Sequence, residues 1–307
     1  MRPAVERGSK PMFSYYLMKA LSWLFCILPE SWGRAFGNWL GRFSLRFVPE
    51  WRMKMAAANI QECLGVPPEE AERIARASVV KFGRMIVEVL RFPRLVKDGI
   101  ESVVHTDGLE YLEEAYAKGK GVIMCTGHFG NWELLGATVG MHGYPILSIA
   151  RKQNNSAMDR FINEYREMVG QKIAYNRGKQ GVLAMGRYLK EKHLLGILFD
   201  QDTNDTGIVL NLFGKPAVTP AGPAVFSRTF GCPILPIFMH YDADGSCRAK
   251  IYPPLYAART KDKDQDLRDV TEQLIHILEA EIRSNPPMWF WVHDRWKDGR
   301  QRFEHKD

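Results

Sequence analysis

A histidine held between glycines, in GHFG (127–130), follows the apolar run GVIMCT (121–126) and precedes a helical pattern over 131–143. A short apolar run of that kind reads as a buried strand. In open α/β sheets, binding and catalytic groups collect beyond the carboxyl ends of the strands, and His128 falls at such an end. Imidazole is the side chain whose pKa suits removal of a proton from a hydroxyl near neutral pH. Gly127 and Gly130 free the backbone there and let a substrate come close. The chemistry these residues suggest is general-base activation of an alcohol.

A base needs an acceptor on its other ring nitrogen, and two carboxylates compete for that place. Glu133 lies five residues after His128. On one helix that spacing is a rotation of about 140° away from the histidine, so His128 belongs to the loop and Glu133 to the first helical turn. The helix dipole alone would favour a carboxylate there. A zinc pair of the H-E-x-x-H kind needs a spacing of four, so no metal site is expected. Asp200 ends LLGILFD (194–200), a second strand-like run expected beside the first. Either carboxylate would serve. Asp202 either joins the site or holds the turn. No G-x-S-x-G elbow is present, and Cys125 sits inside the apolar run as core. No covalent intermediate on the protein is needed.

Stepping out along the chain, short apolar runs alternate with helical patterns. Residues 69–92 form an amphipathic helix ended by Pro93; 144–150, 194–200, 208–213 and 234–240 read as strands; 156–170, 180–192 and 266–284 read as helices. Alternation of this kind predicts an α/β fold, a central sheet flanked by helices.

The charge is uneven. The net charge is +7, yet residues 1–60 hold nine Lys/Arg against three acidic residues. The same segment is rich in aromatic and apolar side chains. Anionic lipid headgroups, worth about 1 kcal/mol per surface Lys/Arg, suit it better than nucleic acid. The stretch PMFSYYLMKALSWLFCILP (11–29) is 19 residues long and interrupted by Lys19. It is a short spanning anchor, an interfacial helix or a core helix. Trp32, Phe36, Trp39, Leu40, Phe43 and Phe47 then recur at helical spacing with arginines between them, an interfacial pattern. A division into an amino-terminal membrane-associating extension (1–55) and a catalytic body (56–307) follows. Five cysteines without a C-x-x-C pair exclude a disulfide framework and place the body in a reducing compartment.

GHFGNWE (127–133) resembles the H-x4-D/E motif of the bacterial late acyltransferases of lipid A synthesis, the lauroyl and myristoyl acyltransferases, within the lysophospholipid acyltransferase-like class. ARKQNN (150–155), ILFDQD (197–202), LFGKPAVTPAGPA (212–224) and PPMWFWVHDRWK (286–297) resemble further blocks of that family in the same order. The resemblance runs over roughly residues 12 to 300 and implies a mixed sheet of the glycerolipid acyltransferase type. It implies a bacterial inner-membrane enzyme with its catalytic domain on the cytosolic side. That enzyme would transfer an acyl chain from acyl carrier protein to a hydroxyl of a lipid A precursor, with no cofactor beyond the thioester. Acyl coenzyme A, and another glycolipid, glycerolipid or aminolipid, are the alternatives, because DQDTNDTGIVLN (200–211) departs from the family's usual continuation. His128, with Glu133 or Asp200, is expected to be catalytic. Gly130, Asn131, Arg151, Asn154, Asp202, Lys215, Thr219 and Arg295 are expected to bind substrate, the cations through phosphate or carboxylate.

Overall fold

The computed structural model describes residues 12–150, 152–175, 179–203 and 207–297. Helices lead the chain: α1 (Phe13–Ile27), α2 (Glu30–Ser44), α3 (Glu50–Leu64), α4 (Pro68–Leu90) and α5 (Phe92–Asp98). The body continues through β1 (Val104–Asp107), α6 (Leu109–Ala117), β2 (Val122–Thr126), α7 (Trp132–Met141), β3 (Ile146–Ile149) and α8 (Ser156–Met168). Then come β4 (Gln171–Ala174), α9 (Lys179–Lys190), β5 (Leu194–Leu198), the hairpin β6 (Ile208–Leu212) and β7 (Lys215–Thr219), α10 (Gly222–Phe230), β8 (Ile234–Tyr241), β9 (Cys247–Ile251) and α11 (Lys263–Ser284).

Among the described residues, a seven-stranded sheet runs in the order β1-β9-β8-β2-β5-β3-β4. It is mixed: β2 pairs in parallel with β5 and β8, whereas β8 and β9 are antiparallel. β2 is apolar throughout because both of its faces are covered. Ile123 and Cys125 pack into one hydrophobic cluster, with α10 and α11, and Met124 and Val122 into another, with α4, α7 and α8. The α/β reading of the sequence holds. The edge strands β1 and β4, and β9 beside β1, were not legible as apolar runs, because each is short and carries polar residues. In β9 only Cys247, Ala249 and Ile251 turn inward.

The leading helices pack onto the body. Pro49 splits the aromatic stretch into α2 and α3, so residue 55 falls within α3. One face of α2 carries Gly33, Gly37 and Gly41, all buried. A Cβ on Gly37 would stand 2.8 Å from the Arg84 Cα, and one on Gly41 would stand 2.3 Å from the Val80 carbonyl oxygen. These glycines let α2 lie directly on α4. The opposite face of α2 exposes Trp32, Phe36, Trp39 and Phe43. The 11–29 stretch contributes α1, which is 15 residues long, with Tyr15, Ser22 and Phe25 buried and Phe13, Tyr16 and Trp23 exposed. Among the described residues no helix is long and apolar enough to cross a membrane. Tyr15 and Lys19 of α1 both bind Glu164 of α8, which holds this helix along one side of the body.

Candidate active site

Parallel pairing sets the site. Thr126, at the end of β2, is in register with Leu198, at the end of β5. Two residues beyond each lie His128 and Asp200, side by side. The His128 Nδ1 is 2.8 Å from Asp200 Oδ1, and the His128 backbone N–H donates to Oδ2 at 2.7 Å. The Trp289 indole N–H also donates to Oδ2, at 2.8 Å. A carboxylate only accepts, so Nδ1 carries the proton and Nε2 keeps its lone pair. The Gln201 amide nitrogen lies 3.2 Å from that Nε2. Burial by itself would raise the Asp200 carboxyl. The facing imidazole and the donated N–H groups outweigh it and hold Asp200 below the usual carboxylate range.

The loop that carries His128 is fixed by the carboxyl-terminal segment. Gly130 donates its N–H to the Met288 carbonyl at 2.8 Å, and Phe290 donates to the His128 carbonyl at 3.0 Å. Gly130 has φ +60, and a Cβ there would stand 2.0 Å from the Met239 carbonyl oxygen. Glycine is therefore required by the turn as well as by the packing. Gly127 leaves room for the dyad itself, since a Cβ would meet the Asp200 carboxyl carbon at 3.1 Å. The Trp132 ring meets the imidazole edge to face, 4.9 Å between centroids. His128 forms one wall of a small, shallow cleft, lined also by Ser78, Lys81, Phe82, Trp132 and Phe290.

The structure separates the two competing carboxylates. Glu133 binds Arg166, whose Nε donates to it at 2.8 Å, and so turns away from His128. Asn131, fully buried, caps α7 by accepting the Leu134 N–H at 2.9 Å and donates to Glu88 at 2.7 Å. Several residues expected to touch substrate are instead engaged within the protein. Arg295 is fully buried and donates to the Val218 carbonyl and the Thr219 hydroxyl, at 2.6 and 2.7 Å. Burial lowers its guanidinium pKa to about 10, although Asp200 and Asp202 pull the other way. Thr219 is buried with it. Lys215 pairs with Glu62 and lies over the Trp296 ring. Asp202, half-buried, faces Arg295 electrostatically. Asn154 is exposed ahead of α8, and Arg151 lies outside the described residues. The Cys125 thiol is fully buried and pushed well up by that burial, which makes it core.

Sequence reasoning missed Trp289, Gln201 and Lys81. The first two lie inside blocks already singled out, but nothing local marks their partners. Lys81 did leave a signal: it interrupts the stripe Ile74, Ser78, Met85 on the buried side of α4.

The family described as bacterial lipid A biosynthesis acyltransferase matches residues 8–298 of the chain. A phosphatidylinositol mannoside acyltransferase of Mycobacterium tuberculosis is 27% identical over 246 residues, covering 78% of this chain and 75% of that protein. The lipid A biosynthesis palmitoleoyltransferase of Escherichia coli K12 is 24% identical, covering 90% of this chain and 88% of that protein. The lipid A biosynthesis lauroyltransferase of the same organism is also 24% identical, over the same shares of each chain.

Proposed function

We infer the reaction from kinship and geometry together: the chain belongs to the bacterial lipid A biosynthesis acyltransferase family, and as an acyltransferase it passes a fatty acyl group from a carrier thioester to a lipid hydroxyl. The observation that carries the mechanism is the His128–Asp200 pair at the ends of two central strands, with the imidazole in the wall of a cleft. Asp200 orients the ring and stabilises the imidazolium that forms. The Gln201 amide beside Nε2 marks where a hydroxyl donor sits. The hydroxyl oxygen attacks the thioester carbon while Nε2 takes its proton, and the departing thiolate recovers that proton. Gly130 and Asn131 act by shaping the loop. The donor is acyl carrier protein, with acyl coenzyme A as the alternative.

The acceptor in this reading is a lipid A precursor. A second reading, a mannosylated inositol lipid, is supported by the mycobacterial relative. Mass spectrometry of lipids after incubating purified protein with each acceptor and each donor decides between them. Gain of one acyl mass on either acceptor, and its loss in His128→Ala, is the expected result. No transfer from any thioester by wild-type protein would end this reading.

The amino-terminal residues up to about 55 provide the membrane foot and 56–307 the catalytic body. Support comes from the exposed Trp32, Phe36, Trp39, Phe43 and Phe47 among the exposed Arg42, Arg46 and Arg52. An amphipathic surface of this kind lies in the interface plane. Arg76 of α4 lines a groove with Trp39, Arg42 and Phe43, and Phe82 lines the cleft. Those two positions are about 9 Å apart along the helix axis, so a lipid lying at the foot is close to His128. Five unpaired cysteines suit the cytosolic side of the inner membrane.

A further inference from the structure

We propose that Lys81 is a catalytic residue, the cation that meets the negative charge on the thioester carbonyl oxygen as the acceptor attacks. This rests on the transfer reaction above. As the hydroxyl oxygen bonds to the thioester carbon, the carbonyl electron pair moves onto oxygen. Collapse of that oxyanion breaks the carbon–sulfur bond, and the thiolate takes the proton held on His128. A site built for this step needs an oriented donor beside the base.

Lys81 and His128 line the same cleft, so the cation and the base border the space in which the thioester would react. Two of the cleft's other side-chain donors are already engaged, and the remaining one, the Trp132 indole, carries no charge. The Ser78 hydroxyl donates to the Ala75 carbonyl at 2.8 Å, and the Trp289 indole donates to Asp200. Lys81 makes neither a hydrogen bond nor an ion pair among the described residues; its ammonium stands 5.4 Å over the Tyr241 ring. The nearby carboxylate, Glu88, is committed to Arg84 at 2.6 Å and accepts from Tyr241 and Asn131, both at 2.7 Å. A half-buried ammonium without its own carboxylate is matched only when substrate brings a negative charge.

Burial, with the like charge of Arg84, lowers the Lys81 pKa to about 8, and Glu88 opposes the shift. The groups around it are Arg84 and Glu88 on α4, Tyr241 on β8 and His128 across the cleft. Lys81 is charged below that value and loses its charge as pH rises through it. Turnover therefore falls on the alkaline side, near pH 8.

The test is steady-state transfer by the purified protein in detergent micelles, from pH 6 to 10, for wild type, Lys81→Met, Lys81→Arg and His128→Ala. Removing the charge is expected to lower kcat about 10²-fold with little change in KM. Lys81→Arg should keep most of the rate and move the alkaline limb upward by more than one pH unit, because guanidinium stays charged. This arginine variant separates catalysis from folding if Lys81→Met is unstable. A rise in KM alone, or an alkaline limb that stays in place in Lys81→Arg, overturns the proposal. If wild type transfers acyl groups and only His128→Ala loses activity, the reaction stands and the role of Lys81 does not.

Discussion

Two imidazole–carboxylate pairs stand on either side of one phenylalanine. His128 and Asp200 lie at the ends of β2 and β5, whereas the His240 Nε2 is 2.7 Å from Glu281, between β8 and α11. Phe129, fully buried, meets the His240 ring at 5.1 Å. Both carboxylates are buried and both imidazoles are mostly covered, so neither burial nor proximity tells them apart. Their surroundings do. Glu281 also accepts from Lys250, at 3.0 Å, and from Tyr252. Its charge is thus already matched by an ammonium. Among the described residues His128 is the one ion-pair partner of Asp200. His128 also stands in a glycine-bracketed loop at strand ends, in a cleft wall, whereas His240 continues a strand. On the proposed mechanism it is the pair whose ring meets a cleft that supplies the base. The second pair is a structural tie between sheet and helix.

The comparison is broken most easily at the histidines. His128→Ala should lower acyl transfer by about 10²–10⁴-fold, while His240→Ala keeps kcat within about threefold and lowers the melting temperature instead. A folded His240→Ala protein without activity would erase the distinction. At the carboxylates, Asp200→Asn should cost at least about 10² in kcat, because the amide no longer selects the Nδ1–H tautomer. Glu133→Gln should leave kcat nearly unchanged and cost about 3 kcal/mol in urea unfolding, since Arg166 loses its counter-charge in a buried pair. The opposite pattern in these two variants would return the orienting role to Glu133.

The smallest effect concerns pH and stability. Burial would raise the Glu281 carboxyl, but His240, Tyr252 and Lys250 lower it to about 2, against an ordinary value of 4.5. A carboxyl lowered on folding adds stability above its unfolded value, and that stability is lost as pH falls through the folded one. The total is about 3 kcal/mol, of which about 2 kcal/mol disappears between pH 7 and pH 3. Urea titrations of wild type and Glu281→Gln at those two pH values should differ by that amount in pH dependence. Equal dependence in both proteins would mean that the pair is not ionised as described.

The sheet and its helices were readable where strands are covered on both faces, because β2, β5 and β8 appear as plain apolar runs. The edge strands were not, because one exposed side admits polar residues and erases the pattern. In the site, His128 was legible from its glycines and its position after a strand. Arg295, Thr219 and Lys215 were recognisable as a set but not as internal partners of one another and of Glu62, since burial and pairing arise only when β7, α3 and the carboxyl-terminal segment meet.

The amino-acid order alone determined the α/β alternation, the histidine at a strand end, and the basic aromatic face of α2, because these depend on periodicity and on neighbours in the chain. Tertiary structure alone decided which carboxylate orients His128. Glu133 is five residues away and Asp200 is seventy-two. Parallel pairing of β2 with β5 brings the distant one into register, and the start of α7 turns the near one toward Arg166. Strand pairing acts between segments whatever their separation, so the nearer residue in sequence is not the nearer one in space.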